Sequence, residues 1–277
     1  LRDADVGARI EAAVTNAIHP WVIASPANQF RAKLGNFYRE RVPGDILDPN
    51  PAVGAGGLQN IVDRLAFSLA RMNEGKEDDH LEYGGSELEH SICDRMSFLY
   101  GRMWSHKNLD PTTHAAFPRM LGPAPASVYQ HLYYHSSLRR ITDANGENTY
   151  LTDGNIRNHW QFPILFVHGN DSCVFNPHSA RRSAYRLHGI LNTPPATDRL
   201  DPEAVERIPV RFKIYPDYGH MDVVFGKDAH KTCFQDYVDF LRAPGAVSNS
   251  DNEPDRDETY AALPVTGPIL RAAWKEG

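Results

Sequence analysis

Two titratable side chains of this chain stand directly after apolar runs that have the length and composition of strands. The run 164–167 leads through Gly169 to Asp171, and the run 210–215 leads through Gly219 to His220. Functional loops of parallel α/β sheets collect where the strands end, so we expect these two side chains to lie close together. A carboxylate beside an imidazole orients a general base, which predicts proton-transfer chemistry at this edge.

The chemistry that suits such a pair is activation of a hydroxyl for nucleophilic attack. An imidazole with an ordinary pKa near 6.5 takes the proton of the hydroxyl, and a fixed carboxylate stabilises the imidazolium that forms. We therefore assign the base to His220 and the orienting acid to Asp171. Each residue taken singly also has a structural alternative: Asp171 as a turn or helix-capping residue, and His220 as an ordinary loop histidine.

Three neighbouring residues receive structural assignments. Asp222 is predicted to bind backbone rather than to orient His220, and His168 is predicted to be a packed or hydrogen-bonded side chain rather than a base. Asp217 is a weaker rival for the acid, because it lies in the same loop as His220.

Composition excludes several classes of function. The 277 residues carry 29 basic and 35 acidic side chains, a net charge of −6, which argues against nucleic acid as the main partner. No apolar run approaches the roughly 20 residues of a membrane span. Cys93, Cys173 and Cys233 are too widely spaced for a disulfide framework or a metal knuckle, and they favour a reducing compartment such as the cytoplasm.

Periodicity divides the rest of the chain into elements. It predicts a strand at 12–18, a helix capped by Ser25 and begun by Pro26, a small hairpin joining Ile141 to 150–151, and a set of further helices. Those helices are predicted at 58–72, 88–100, 111–120, 126–138, 178–187 and 228–241.

The order of an aspartate loop followed by a histidine loop resembles the C-terminal half of an α/β-hydrolase. Residues 169–171 with Val174 and Pro177 are similar to the acid loop of that family, and 219–222 are similar to its histidine loop. The helical region 93–138 is similar to the lid of hydrolase segments joined to cholesterol-oxidase-like flavoproteins.

The resemblance implies an α/β fold: a partial hydrolase sheet of C-terminal, mostly parallel strands with an inserted helical lid. It divides the chain into a core strand region (1–24), a mostly helical lid (25–160), the C-terminal hydrolase core (161–242), and an acidic linker that leads into a further segment (243–277).

The implied activity is hydrolysis of a carboxylic ester of a small apolar substrate, without a cofactor, by a Ser-His-Asp triad. The family's nucleophile lies in a G-x-S-x-G turn that these residues lack, so we expect the serine upstream of Leu1 or on another chain.

Two alternatives remain open. The first is a non-catalytic hydrolase-like module packed against a flavin-dependent oxidoreductase part that would carry FAD. The second is a metal-dependent hydrolase using His131 and His135, which stand four residues apart and lack an evident third ligand.

Overall fold

A three-stranded parallel sheet lies at the centre of the chain. The computed structural model describes residues 4–41, 46–47, 87–125, 127–192 and 208–249. The strands are β1 (Ala13–Asn16), β2 (Ile46–Leu47), β3 (Ala124–Pro125), β4 (Ile164–Gly169) and β5 (Val210–Tyr215). The sheet has the order β1-β4-β5, while β2 and β3 form a separate antiparallel pair.

Helices account for most of the remaining described chain. They are α1 (Ala4–Gly7), α2 (Pro26–Arg41), α3 (Glu87–Tyr100), α4 (Pro111–Met120), α5 (Val128–Leu138), α6 (Asp153–His159), α7 (His178–Asn192), α8 (Asp222–Phe225) and α9 (Ala229–Arg242). A single 3₁₀ turn, His106–Asn108, joins α3 to α4.

Both faces of the sheet are covered. Every residue of β4 is buried, and its side chains alternate between two cores. Ile164 and Phe166 pack with α7, whereas Leu165 and Val167 pack with α9. Burial on both faces explains why β4 reads as a continuous apolar run. The structure confirms an α/β fold with a parallel sheet.

Local signals predicted several helix starts correctly. Ser25 Oγ accepts a hydrogen bond from Asn28 N, and Pro26 is the first residue of α2. Asp110 caps α4 in the same way through Thr112 N, and Pro111 follows it. Pro at the first helical position costs nothing, because the N–H that it lacks would have no partner within the helix.

The hairpin predicted between Ile141 and 150–151 is wrong. Only its turn forms: Gly146 N donates to the carbonyl of Asp143, whose side chain also accepts from Asn145 N and Glu147 N. An aspartate side chain that binds these amides offers the backbone an alternative to a strand ladder. The short helix α6 follows, and we did not predict it.

The first residues of the predicted acidic linker, 243–249, lie against the edge of β5. Val247 is buried in the core on the α9 face, and Asn249 Oδ1 accepts from Phe212 N. The predicted helix at 58–72 and residues 250–277 lie outside the described residues. Of the helices that the structure describes, none combines the length and the apolar character needed to cross a bilayer.

Candidate active site

The loops after β4 and β5 meet at the C-terminal edge of the sheet. Asp171 N donates to the carbonyl of Tyr218, and Asn170 N donates to that of Tyr215. This approach requires Gly169, because a Cβ there would overlap the carbonyl oxygens of Tyr218 and Gly219. The register of two adjacent parallel strands thus brings together the two loops on which the sequence prediction depends.

His220 is buried at this edge, where one hydroxyl group and two aromatic rings surround its imidazole. Its Nδ1 lies 3.4 Å from Ser172 Oγ, and its ring contacts those of His168 and Phe175 edge-on. Burial, and then the nearby His168, lower the pKa of His220 to about 3. The imidazole is therefore neutral at any pH near neutrality. We call Asp171, Ser172, His168 and His220 the strand-end site.

Asp171 lies half-buried in the loop that contacts His220. The backbone places the two residues at neighbouring strand ends, as the sequence predicts. The hydroxyl of Ser172, which the sequence prediction left out, is the polar group at Nδ1. The catalytic pairing of Asp171 with His220 stays a prediction.

His168 of the strand-end site is hydrogen-bonded to a further buried imidazole, that of His19. His168 Nε2 lies 3.0 Å from the carbonyl of Phe175 and must donate to it, so His168 Nδ1 is the acceptor. His19 Nε2 lies 2.8 Å from that Nδ1 and donates to it. His19 Nδ1 is then a buried acceptor with no hydrogen-bond partner among the described residues. His168 is packed and hydrogen-bonded, as predicted.

Asp222 binds backbone rather than His220, as predicted. Its buried carboxylate accepts from Gly219 N at 2.6 Å, from Ser105 N at 3.2 Å and from Asn108 Nδ2 at 2.8 Å. Burial raises the pKa of Asp222, and these three donors oppose that rise. The side chain therefore ties the histidine loop to the segment between α3 and α4.

The rival acid, Asp217, is exposed and lies in the turn after β5 with a φ of 64°. Its carbonyl accepts from Asn108 Nδ2. Aspartate tolerates this left-handed conformation better than most residues, which fits a turn position.

A narrow cleft lies beside the strand-end site and is mostly apolar. It runs between α2, α3, α5 and the loop after β4, and Phe175 separates it from His220. Asn28 holds the cleft together, since its Nδ2 donates to the carbonyls of Tyr100 and Val174. The apolar lining residues are Ala24, Ala32, Leu99, Leu132, Val174 and Phe175.

A second group of chemically active side chains lies in the helical region. Cys93 on α3, His106 in the 3₁₀ turn and His114 on α4 bring a thiol and two imidazoles together; we call them the Cys–His–His cluster. The sequence prediction missed this cluster, because spacings of 13 and 8 residues match no familiar ligand motif. All three cysteines are free, in agreement with the absence of a predicted disulfide framework.

Among the residues that the structure describes, none joins His131 and His135 as a third metal ligand. The two rings lie 5.9 Å apart on α5, and burial lowers the pKa of His135 to about 4. In the part of the chain that the structure describes, the Cys–His–His cluster is the only group of three side chains with metal-binding geometry.

Comparison with protein-family models, with curated proteins and with solved structures gives no match to this chain. The geometry of the site and the resemblance of the two loops are therefore the grounds on which a function can be proposed.

Proposed function

We propose that this chain is the C-terminal part of an α/β-hydrolase-type esterase and that His220 is its general base. The observation that carries the proposal is the meeting of the two loops. Asp171 N is bonded to the carbonyl of Tyr218, and Ser172 Oγ lies against His220 Nδ1. The nucleophilic serine is supplied by sequence outside these 277 residues or by another chain, and the helical region 25–160 acts as a lid.

The burial of His220 suits a base that must be unprotonated before the reaction. An imidazole with a pKa of about 3 is neutral but also a weak base. A carboxylate at Nδ1 would raise that pKa, since a negative charge stabilises the imidazolium. We assign this role to Asp171, because a hydroxyl such as that of Ser172 carries no charge to offer.

The cleft behind Phe175 is small, about 30 Å³, so we assign it only contact with the apolar part of a small substrate. Its lining is mostly aliphatic and aromatic, and Asn28, Arg31 and Ser136 are its polar members. The ring of Phe175 lines the cleft and contacts His220. Pockets of this kind bind ligands through apolar contacts, while a few polar groups fix the orientation. The proposed substrate is a small apolar ester, and the hydrolytic step needs no cofactor.

The test measures hydrolysis of p-nitrophenyl esters by the protein that contains both this chain and the nucleophile. His220→Ala is expected to lower kcat by about 10³–10⁴-fold, as loss of a triad member does. Asp171→Asn is expected to lower kcat and to move the ascending limb of the pH–rate profile to lower pH, because the imidazolium loses its counter-charge.

Two variants serve as controls. Ser172→Ala and Asp217→Asn should retain most of the activity, since neither supplies the charge at Nδ1. If Ser172→Ala lowers kcat as much as Asp171→Asn does, we would assign the positioning of the His220 imidazole to the hydroxyl of Ser172 instead. Unchanged hydrolysis in His220→Ala would reject the role of His220 as the general base.

One observation favours a second candidate, a non-catalytic hydrolase-like module packed against a flavin-dependent oxidoreductase part. Burial, and then the nearby His168, lower the pKa of His220 to about 3, which makes the imidazole a weak base. Esterase activity independent of His220, together with copurification of an FAD-containing part, would support this candidate.

A further inference from the structure

Three side chains from three separate elements converge in the helical region. Cys93 Sγ lies 3.2 Å from His114 Nε2 and 3.3 Å from His106 Nε2. All three donor atoms lie within 4.8 Å of one another, and the two imidazole rings are nearly perpendicular. Cys93, His106 and His114 are only 3%, 2% and 1% exposed.

The geometry points to a binding site for a single transition-metal ion, and we propose Zn²⁺ held by Cys93 Sγ, His106 Nε2 and His114 Nε2. Zinc binds thiolate sulfur at about 2.3 Å and imidazole nitrogen at about 2.0–2.1 Å in a tetrahedron, which sets the S···N separation at about 3.5 Å. The two S···N distances here are within a few tenths of an ångström of that value.

Local structure holds the two histidine ligands in place before any metal binds. The 3₁₀ turn that carries His106 is closed by Asn108 N to Ser105 O and by Leu109 N to His106 O. The capped start of α4 fixes His114 one turn further on, through the bond from His114 N to the carbonyl of Asp110. Ligands on short, closed elements lose little freedom when they bind an ion.

An apolar shell surrounds the three ligands. The indole of Trp104 packs on Phe117 with centroids 4.2 Å apart, and Phe117 also contacts the ring of His114. Side chains that pack around the cluster are Ile92, Met96, Trp104, Leu109 and Phe117. Such a shell excludes water and strengthens the attraction between a cation and a thiolate.

Binding of the Zn²⁺ ion releases one proton from the protein. Cys93 gives up its thiol proton to solvent as the Sγ–Zn bond forms, and both imidazoles bind as neutral ligands through Nε2 with their protons on Nδ1. Three protein ligands leave the fourth position of the tetrahedron for a water or another small donor. Without an ion, the same contacts could be hydrogen bonds from and to the thiol, so the experiment must separate the two states.

The ion would stabilise the segment that binds the histidine loop. Ser105 and Asn108, on either side of His106, donate to Asp222, and Met221 N donates to the carbonyl of Met103. A metal that fixes His106 therefore also fixes the partners of the loop that carries His220. We assign the ion a structural role on this ground.

The experiment uses the whole chain purified at neutral pH without chelator, with elemental analysis and Co²⁺ substitution as readouts. We expect about one Zn²⁺ per chain and, with Co²⁺, a thiolate-to-metal charge-transfer band beside the intense visible bands of a tetrahedral ion. Cys93→Ser, His106→Asn and His114→Asn should weaken Zn²⁺ binding by at least about 100-fold, more than the loss of a supporting contact does.

Cys233→Ser and Cys173→Ser are matched controls, because both replace buried free cysteines outside the cluster. If the ligand variants fail to fold, these two controls still identify the thiolate ligand. A charge-transfer band that is retained in both excludes Cys173 and Cys233, so that Cys93 is the thiolate that binds the metal. Removal of the ion should lower the Tm of the wild type. A folded wild-type chain that binds neither Zn²⁺ nor Co²⁺, or a band that disappears in Cys173→Ser or Cys233→Ser, would overturn the proposal.

Discussion

The strand-end site and the Cys–His–His cluster are both groups of imidazoles in an apolar interior, but different parts of the fold hold them in place. Hydrogen bonds between the backbones of two loops align the strand-end site, after parallel strands β4 and β5. Packing of a helix, a 3₁₀ turn and a second helix aligns the cluster. Strand ends always share an edge, so the sequence predicts the first site, whereas the second depends on how separate helices pack.

Asp222 connects the two regions, so its removal should have the largest effect. Asp222→Ala leaves the amides of Gly219 and Ser105 and the side chain of Asn108 without their acceptor. Each buried amide left without an acceptor costs about 1–3 kcal/mol, so we expect the free energy of unfolding in urea to fall by about 2–6 kcal/mol for the amides of Gly219 and Ser105. The exposed Asp228→Ala is the control and should change little. A loss as small as that of the control would mean that the two regions are independent.

The pH dependence of stability tests the buried imidazoles of the strand-end site. Burial lowers the pKa of His168 to about 4 and that of His220 to about 3, below the value near 6.5 of an unfolded chain. The unfolded state then binds more protons between about pH 4 and 6.5, so stability falls as the pH falls through that window.

Each such imidazole contributes a slope of about 1.4 kcal/mol per pH unit, and His220→Gln should remove one of them. Urea unfolding curves of both proteins at several pH values measure the difference. Identical slopes would show that His220 is not buried as the structure places it.

Gly169→Ala tests the close approach of the two loops alone. The added methyl group would overlap the carbonyl oxygens of Tyr218 and Gly219, and relief of such an overlap costs about 1–3 kcal/mol. Gly189→Ala, at an exposed position of α7 with open space around it, should stabilise the chain by up to about 1 kcal/mol. Similar changes in both variants would contradict the loop contact.

The smallest effect is expected at the start of α2, in the helical region. Ser25→Ala removes the cap that accepts from Asn28 N and should cost about 1 kcal/mol. Ser127 stands at the start of α5 without a capping hydrogen bond, so Ser127→Ala should leave the Tm nearly unchanged. Equal shifts in Tm in the two variants would mean that the capping bond of Ser25 does not stabilise α2.

Several elements of the fold could be predicted from short stretches of the sequence. The structure contains the apolar strands β4 and β5 and the helix starts at Ser25-Pro26 and Asp110-Pro111. Each of these features depends on residues that are close together in the sequence. The hairpin at 141–151 failed because the side chain of Asp143 binds the nearby amides, a competition that turn composition alone does not decide.

The sequence by itself determined that Asp171 and His220 each follow a strand, since apolar runs and turn residues are local properties of the chain. Only the tertiary structure decided which atoms meet. It placed Ser172 Oγ at His220 Nδ1, gave Asp222 its backbone donors, and joined Cys93 to two distant histidines. The physical reason is that these contacts join groups far apart along the chain, and their distances depend on how whole helices and loops pack.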